Sequence, residues 1–289
     1  MKYKIGVNTN CGCGDTLEET LQNIKAAGFT HVQVAEEANA NSKEEGSAAR
    51  FEDSIKLALG MGFEIPFVHL AYKHICNTND LWVEGEENEK VIDFWIERIK
   101  ICGKHGIKVA VIHVTISSTP LTAISEQGIR SMEKLLKVAR ASNVKIALEN
   151  LRAAHLAHTF YLLDNIKSPN LGFCYDAGHH NLHSKYTDFV TPYGERFFAV
   201  HLQDNLMDWT SPEIDRDRHL LPFDGKVDFE KVMRDIARTN YDGVVMLEVN
   251  RNHDTELNLY KDTSPTEFLR EAKRRGERLA EMFERYSAE

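Results

Sequence analysis

The stretch LGFCYDAGHHN, Leu171 to Asn181, decides how the rest of the chain is read. Leu171 to Tyr175 is an apolar, aromatic run of the kind that forms a buried strand. Asp176 follows at once, and after Ala177 and Gly178 come His179 and His180. A carboxylate and an imidazole three residues apart, where a strand gives way to a loop, can point at one place. Burying Asp176 at a strand end costs several kcal/mol unless a cation or hydrogen bonds compensate it. That placement asks for a metal or a reaction.

Seven further apolar runs read as strands: Lys4–Asn8, Phe29–Val34, Phe63–His69, Ile107–Val114, Val144–Glu149, Phe197–His201 and Gly243–Glu248. Several are nearly continuous Val, Ile, Ala and Phe, as strands covered on both faces of a parallel sheet should be. Helical signals lie between them. Thr16 with Glu19 forms a capping-box pattern, and Gly28 supplies a stop before the second strand. Glu87–His105 carries Val91, Ile92, Trp95, Ile99 and Cys102 at helical spacing and ends at Gly106. Ser125–Ala141, Asp228–Arg238 and the charged Pro265–Tyr286 follow the same pattern. Strand then helix, eight times and without a linker, predicts an α/β fold, a (β/α)8 TIM barrel spanning 1–289 as one domain. A doubly wound open sheet is the alternative, but no glycine-rich phosphate fingerprint follows the first strand.

Composition narrows the function classes. With 42% hydrophobic and 27% charged residues the chain can bury a sizeable core. A net charge of −9 argues against a general nucleic-acid binder. Five cysteines without framework spacing fit a reducing cytoplasm, and Cys11-Gly-Cys13 reads as a glycine-rich loop with incidental thiols. MKYKIGVNTN enters a strand-like run directly, so no signal peptide is expected. No apolar run approaches the length of about 18 to 20 residues that spans a bilayer. A cytoplasmic enzyme without a membrane partner is the expectation, and a homo-oligomer stays open.

Active sites of such barrels sit at the C-terminal ends of the strands. Strands three to eight finish on His69, His113, Glu149, Asp176, His201 and Glu248. One such residue is an ordinary structural histidine or carboxylate. Six in succession at one rim would repel or stay unpaired without a cation. Mixed carboxylate and imidazole donors suit Mn, Zn, Fe or Co, and the absence of thiolates argues against a structural zinc site. Just outside the ring lie His179 and, in the long irregular stretch Asp204–Val227, the D-x-H pair Asp217 and His219 with Arg216 and Arg218. Trp82, Trp95, Trp209, Phe223 and Tyr72 are candidates for an apolar lid. Trp95 sits on a helix face and belongs to the core, and Trp209, in the long loop, is the better cover for a substrate.

The ordered segments VHL around His69, IHV around His113, ALEN around Glu149, CYDAGHH, VHLQD, DRH with Pro222 and Gly225 beyond it, and MLEVN resemble the xylose-isomerase-like barrel superfamily. That superfamily includes sugar and sugar-phosphate isomerases and epimerases and the apurinic/apyrimidinic endonuclease IV type. The resemblance implies a single divalent ion (Mn, Zn, Co, Fe or Mg) on Glu149, Asp176, His201 and Glu248. The ion would hold two adjacent oxygens of a ketose or aldose while Glu149 and Glu248 move a proton through an enediolate. It further implies that His179, and an Arg of the 216–218 loop such as Arg218, contact substrate hydroxyls. His69, His113 and Trp209 complete the candidate substrate contacts.

The endonuclease branch implies an alternative with up to three zinc ions. These would sit on His69, His113 and Glu149; on Asp176, His201 and Glu248 with Glu149 shared; and on His179, Asp217 and His219. Against a DNA substrate stand the acidic loops EEANANSKEEG and NTNDLWVEGEENE, although a basic edge exists at Lys73-His74 and Arg216/Arg218. A small sugar or polyol is the expected partner. The alternative is zinc-dependent phosphodiester hydrolysis.

Overall fold

A computed structural model of the chain describes residues 4–36, 47–71, 77–116, 122–207, 217–252 and 259–289. Tyr72, Lys73, His74, Trp209 and Arg216 lie outside them. The strands are β1 (Ile5–Asn8), β2 (His31–Ala35), β3 (Phe67–His69), β4 (Val109–Ile112), β5 (Lys145–Glu149), β6 (Leu171–Asp176), β7 (Phe197–His201) and β8 (Val245–Leu247). They form one parallel sheet in the order β7-β6-β5-β4-β3-β2-β1-β8. The two ends meet where Leu202 N donates to Met246 O at 2.9 Å and Glu248 N donates to Leu202 O at 3.2 Å. The sheet is thus a nearly closed barrel, as the strand–helix alternation predicts.

Helices α1 (Leu17–Ala26), α2 (Ser47–Gly60), α3 (Glu86–Lys104), α4 (Glu126–Ala141), α5 (Ala153–Asn165), α6 (Ala177–His183), α7 (Val190–Tyr193), α8 (Phe229–Ala237) and α9 (Pro265–Ser287) lie outside the sheet. Among the described residues no helix is long and apolar enough to cross a membrane.

Two apolar layers follow from the two-residue period of each strand. Val7, Val34, Val68, Ile112, Leu148, Phe173, Val200 and Leu247 face the helices. Phe67, Val111, Ala147, Cys174, Ala199 and Met246 fill the barrel interior. Two residues beyond each of those six, on the same inward face, stand His69, His113, Glu149, Asp176, His201 and Glu248. The register that packs the core therefore delivers all six to one rim.

Several local expectations are corrected. The run Phe63–His69 yields a strand only from Phe67, because Pro66 has no N–H to give a ladder; Glu64 instead pairs with His31. Asp176 leads not into a loop but directly into α6, whose N-cap it is. At α1, Thr16 Oγ1 accepts from Glu19 N at 3.1 Å, but the Glu19 carboxylate accepts from Asp15 N at 2.9 Å, so the reciprocal half of the box is displaced by one residue. Trp82 is no lid: it is buried, and its indole N–H donates to Val114 O at 2.8 Å. Trp95 is core, as its helix position suggests. Cys11 and Cys13 are buried in the loop after β1, where the Cys13 thiol donates to Cys11 O at 3.5 Å.

Candidate metal centre

Glu149 is the hub. Its Oε2 lies 3.2 Å from His69 Nε2 and 3.1 Å from His113 Nε2. Its Oε1 lies 3.2 Å from His179 Nδ1 and 3.4 Å from His201 Nδ1. His201 Nδ1 in turn stands 3.2 Å from Glu248 Oε2 and 3.9 Å from Asp176 Oδ2. A third cluster rests on Asp217 Oδ2, which accepts from His179 Nε2 at 2.9 Å and lies 3.4 Å from His219 Nε2.

Backbone carbonyls set how these rings present themselves. His69 Nδ1–H donates to Leu70 O at 3.1 Å and His219 Nδ1–H donates to Glu248 O at 2.9 Å. His179 Nδ1–H donates to Asn150 O at 2.9 Å. In His69 and His219 the opposite nitrogen, Nε2, is left to face the site, the usual way a protein orients a ligating imidazole, while His179 Nε2 is turned onto Asp217. His219 reaches its place with φ +46, a left-handed conformation uncommon for a residue with a side chain. His180 turns away from the centre and its Nδ1 shares a 2.6 Å hydrogen bond with the Tyr175 hydroxyl.

Burial makes the charges consequential. Burial pushes Asp176 up to about 7, against the pull of His179 and with the push of Glu149 and Glu248. Burial alone would raise Glu149 too, but His201 and His113 hold it well below the usual carboxylate range. Glu248 is likewise buried, yet His201 draws it down to about 2. His113 is pushed down to about 4 by burial, whereas Asp217 overcomes burial at His219 and holds it at about 10.

The donors fit a divalent cation. Asp176 Oδ2 and both ring nitrogens of His201 are buried without a hydrogen bond, although Asp176 Oδ2 and His201 Nδ1 face each other. Native interiors leave few such atoms orphaned. Glu149, Asp176, His201 and Glu248 bring their ligand atoms within 4.8 Å of one another, as do His69, His113 and Glu149, and His179, Asp217 and His219. Those three groups include every metal-ligand candidate from the sequence. Arg218 is buried at 2% exposure on the same loop.

Two contributors are not apparent from the sequence. Asn150 Nδ2 donates to Asp176 O at 2.9 Å and its Oδ1 accepts from Asp176 N at 2.7 Å, tying the ends of β5 and β6 together. Gln203 is fully buried beside Asp176 and Asp217. Both directly follow, or nearly follow, a strand-end candidate ligand, and that adjacency is the one signal that marks them.

The family described as xylose isomerase-like TIM barrel matches residues 21–279, and the chain belongs to it. Uncharacterized protein y4fM of Sinorhizobium fredii is 24% identical over 255 residues, 78% of each chain. Probable endonuclease 4 of Mycoplasmopsis pulmonis is 30% identical over 101 residues, 32% of this chain and 36% of that protein. A solved structure described as a D-tagatose 3-epimerase-like protein superposes with a TM-score of 0.70 at 20% identity, covering 99% of this chain and 98% of that one. At that identity the likeness shows the shared barrel.

Proposed function

We propose that the chain is a divalent-metal-dependent isomerase or epimerase of a small sugar or sugar phosphate. The observation that carries this reading is the pair of glutamates, Glu149 Oε1 and Glu248 Oε2, flanking His201 Nδ1 at 3.4 and 3.2 Å with Asp176 beside them. Glu149, Asp176, His201 and Glu248 would hold the ion, which when bound supplies Lewis-acid stabilisation of negative charge developing on a substrate oxygen.

The protein's own groups do the rest. Glu149 and Glu248 are both held ionised at neutral pH, so either can accept a proton from carbon. Glu248 is the more accessible, 7% exposed against 2%, and its contacts to His201 and His219 both run through Oε2. It is assigned the first proton transfer, and Glu149 the return from the other side. His179 Nδ1 is anchored on Asn150 O, and its Nε2, which rests on Asp217, would meet a substrate hydroxyl in place of that contact.

The test is deuterium uptake from D2O at the carbon next to the carbonyl, followed by NMR over a panel of ketoses and their phosphates. Wild type should exchange, and Glu248→Gln should lose exchange while still unfolding cooperatively. Wild-type turnover in that variant would refute the two-glutamate mechanism.

One observation favours a second reading. Glu149 divides its oxygens between two groups, Oε2 toward His69 and His113 and Oε1 toward His201. A carboxylate split in this way suits a bridge between two ions, and clustered ions suit phosphodiester hydrolysis. Two or three zinc ions per chain, hydrolysis of bis(p-nitrophenyl) phosphate and no exchange on any sugar would establish it in place of the first.

A further inference from the structure

Gln203 is completely buried at the end of β7, two residues past His201. Its Nε2 donates to Asp176 Oδ1 at 3.3 Å and to Asp217 Oδ1 at 3.0 Å. Asp176 Oδ1 also accepts from His179 N at 2.6 Å, which leaves Oδ2 as the oxygen turned toward His201. Asp217 divides in the same way, with Oδ1 on Gln203 and Oδ2 on His179 and His219. One amide nitrogen therefore straps together carboxylates from two ligand groups that are distant in the chain. We propose that Gln203 is a positioning residue that fixes which oxygen Asp176 and Asp217 each present to the imidazoles; the inference rests on the metal-site reading above.

The amide's own orientation supports this. Gln203 Oε1 is buried without a hydrogen-bond partner. Turning the amide over would set that oxygen against two carboxylate oxygens, so the orientation is dictated by the acids and not by a partner for Oε1. The neighbouring helix is shaped around the same side chain. A Cβ on Gly178 would stand 2.1 Å from Gln203 Cδ and Nε2. Gly178 is helical, so it is required here by close approach and not by backbone conformation. The D-A-G-H spelling of the central stretch is thus explained: Asp176 caps and ligates, Gly178 makes room for the strap, and His179 faces the site.

The experiment uses full-length protein, stripped by chelator and reloaded with Zn²⁺ or Co²⁺. Zinc affinity is read by competition with a chromophoric chelator, the coordination by the Co²⁺ visible spectrum, and the fold by thermal unfolding. Gln203→Met keeps the volume and removes the donors, Gln203→Glu keeps the shape and adds a like charge, and Gly178→Ala displaces the strap from the other side. Each should weaken zinc binding about 10- to 100-fold, the usual effect of removing a group that orients ligands, and shift the cobalt spectrum while unfolding stays cooperative. A role in packing alone would leave Gln203→Met with wild-type affinity and spectrum, and that result overturns the inference while wild-type metal uptake preserves the site. Should wild type take up no metal, the site reading fails first and the inference with it.

Discussion

Arg98→Met tests how the rim beneath the site is held. Arg98 is 1% exposed on α3, and its Nε donates to Glu36 Oε1 at 2.9 Å. Its Nη2 donates to Ser47 Oγ at 2.7 Å, and its Nη1 to the exposed Glu97 at 3.0 Å. Glu36 directly follows β2 and grips β3: its N donates to His69 O at 2.9 Å and its Oε2 accepts from Ala71 N at 3.2 Å. Methionine retains most of the apolar stem, so the loss is chiefly the charge. The Glu97 contact is solvated and worth little. Removing one partner of a buried pair costs about 3–5 kcal/mol, because the other charge is left uncompensated.

At about 2–4 °C per kcal/mol for a chain of this size, the melting temperature should fall by roughly 6–20 °C. The effect carries a signed pH dependence. Burial already raises Glu36 above its ordinary value against the pull of Arg98, and removing Arg98 raises it further. A carboxyl whose folded pKa is raised contributes stability that is full below its unfolded value of 4.5 and lost as pH rises through the folded value. The deficit of the variant should therefore be largest near pH 7.5 and shrink toward pH 5. Urea melts across that range give the number, and replacing both partners by Met should recover most of it. A single-variant loss below about 1 kcal/mol at pH 7.5, or one that does not change with pH, would mean that Arg98 does not compensate a buried Glu36 charge.

Gly225→Ala should disrupt the loop that carries Asp217 and His219, since a Cβ there would stand 2.3 Å from both Asn205 O and Asp204 Oδ1. A loss of about 1–3 kcal/mol in urea melts is expected, and an unchanged midpoint would show that the loop yields freely. Zinc affinity of the stripped protein should rise from pH 6 to pH 8, because a metal must displace the proton that Asp217 holds on His219 up to about 10. A flat profile would mean that the imidazoles are not ligands.

The strand ends were legible because core packing and site placement use one period. Met246 and Glu248, or Ala147 and Glu149, share a face whatever the loops do. Asn150, Gln203 and Asp204 were not legible. A buried amide or carboxylate serving loop N–H groups has no periodicity, and its partners come from elsewhere in the chain. Asp204 accepts from the backbone N–H of Phe223, Gly225 and Val227 at 3.0, 2.8 and 2.9 Å, bonds that link β7 to the loop beyond Asp217. The burial of Trp82 was equally hidden, because it lies in a short turn, Thr78–Trp82, where no helical or strand spacing marks an inward face.

The charge balance of the centre explains how so many acids can be buried together. Glu149, Asp217 and Glu248 are held ionised, while His179, His201 and His219 are held protonated despite burial. Asp176, raised to about 7, is the one acid poised between its two forms. Three negative and three positive groups then nearly cancel. Imidazolium cannot ligate, so an ion held as proposed would release the protons of the rings it takes. Under the proposed function, metal uptake would therefore be a proton-coupled exchange, with Asp176 gaining full charge as a cation replaces the protons around it.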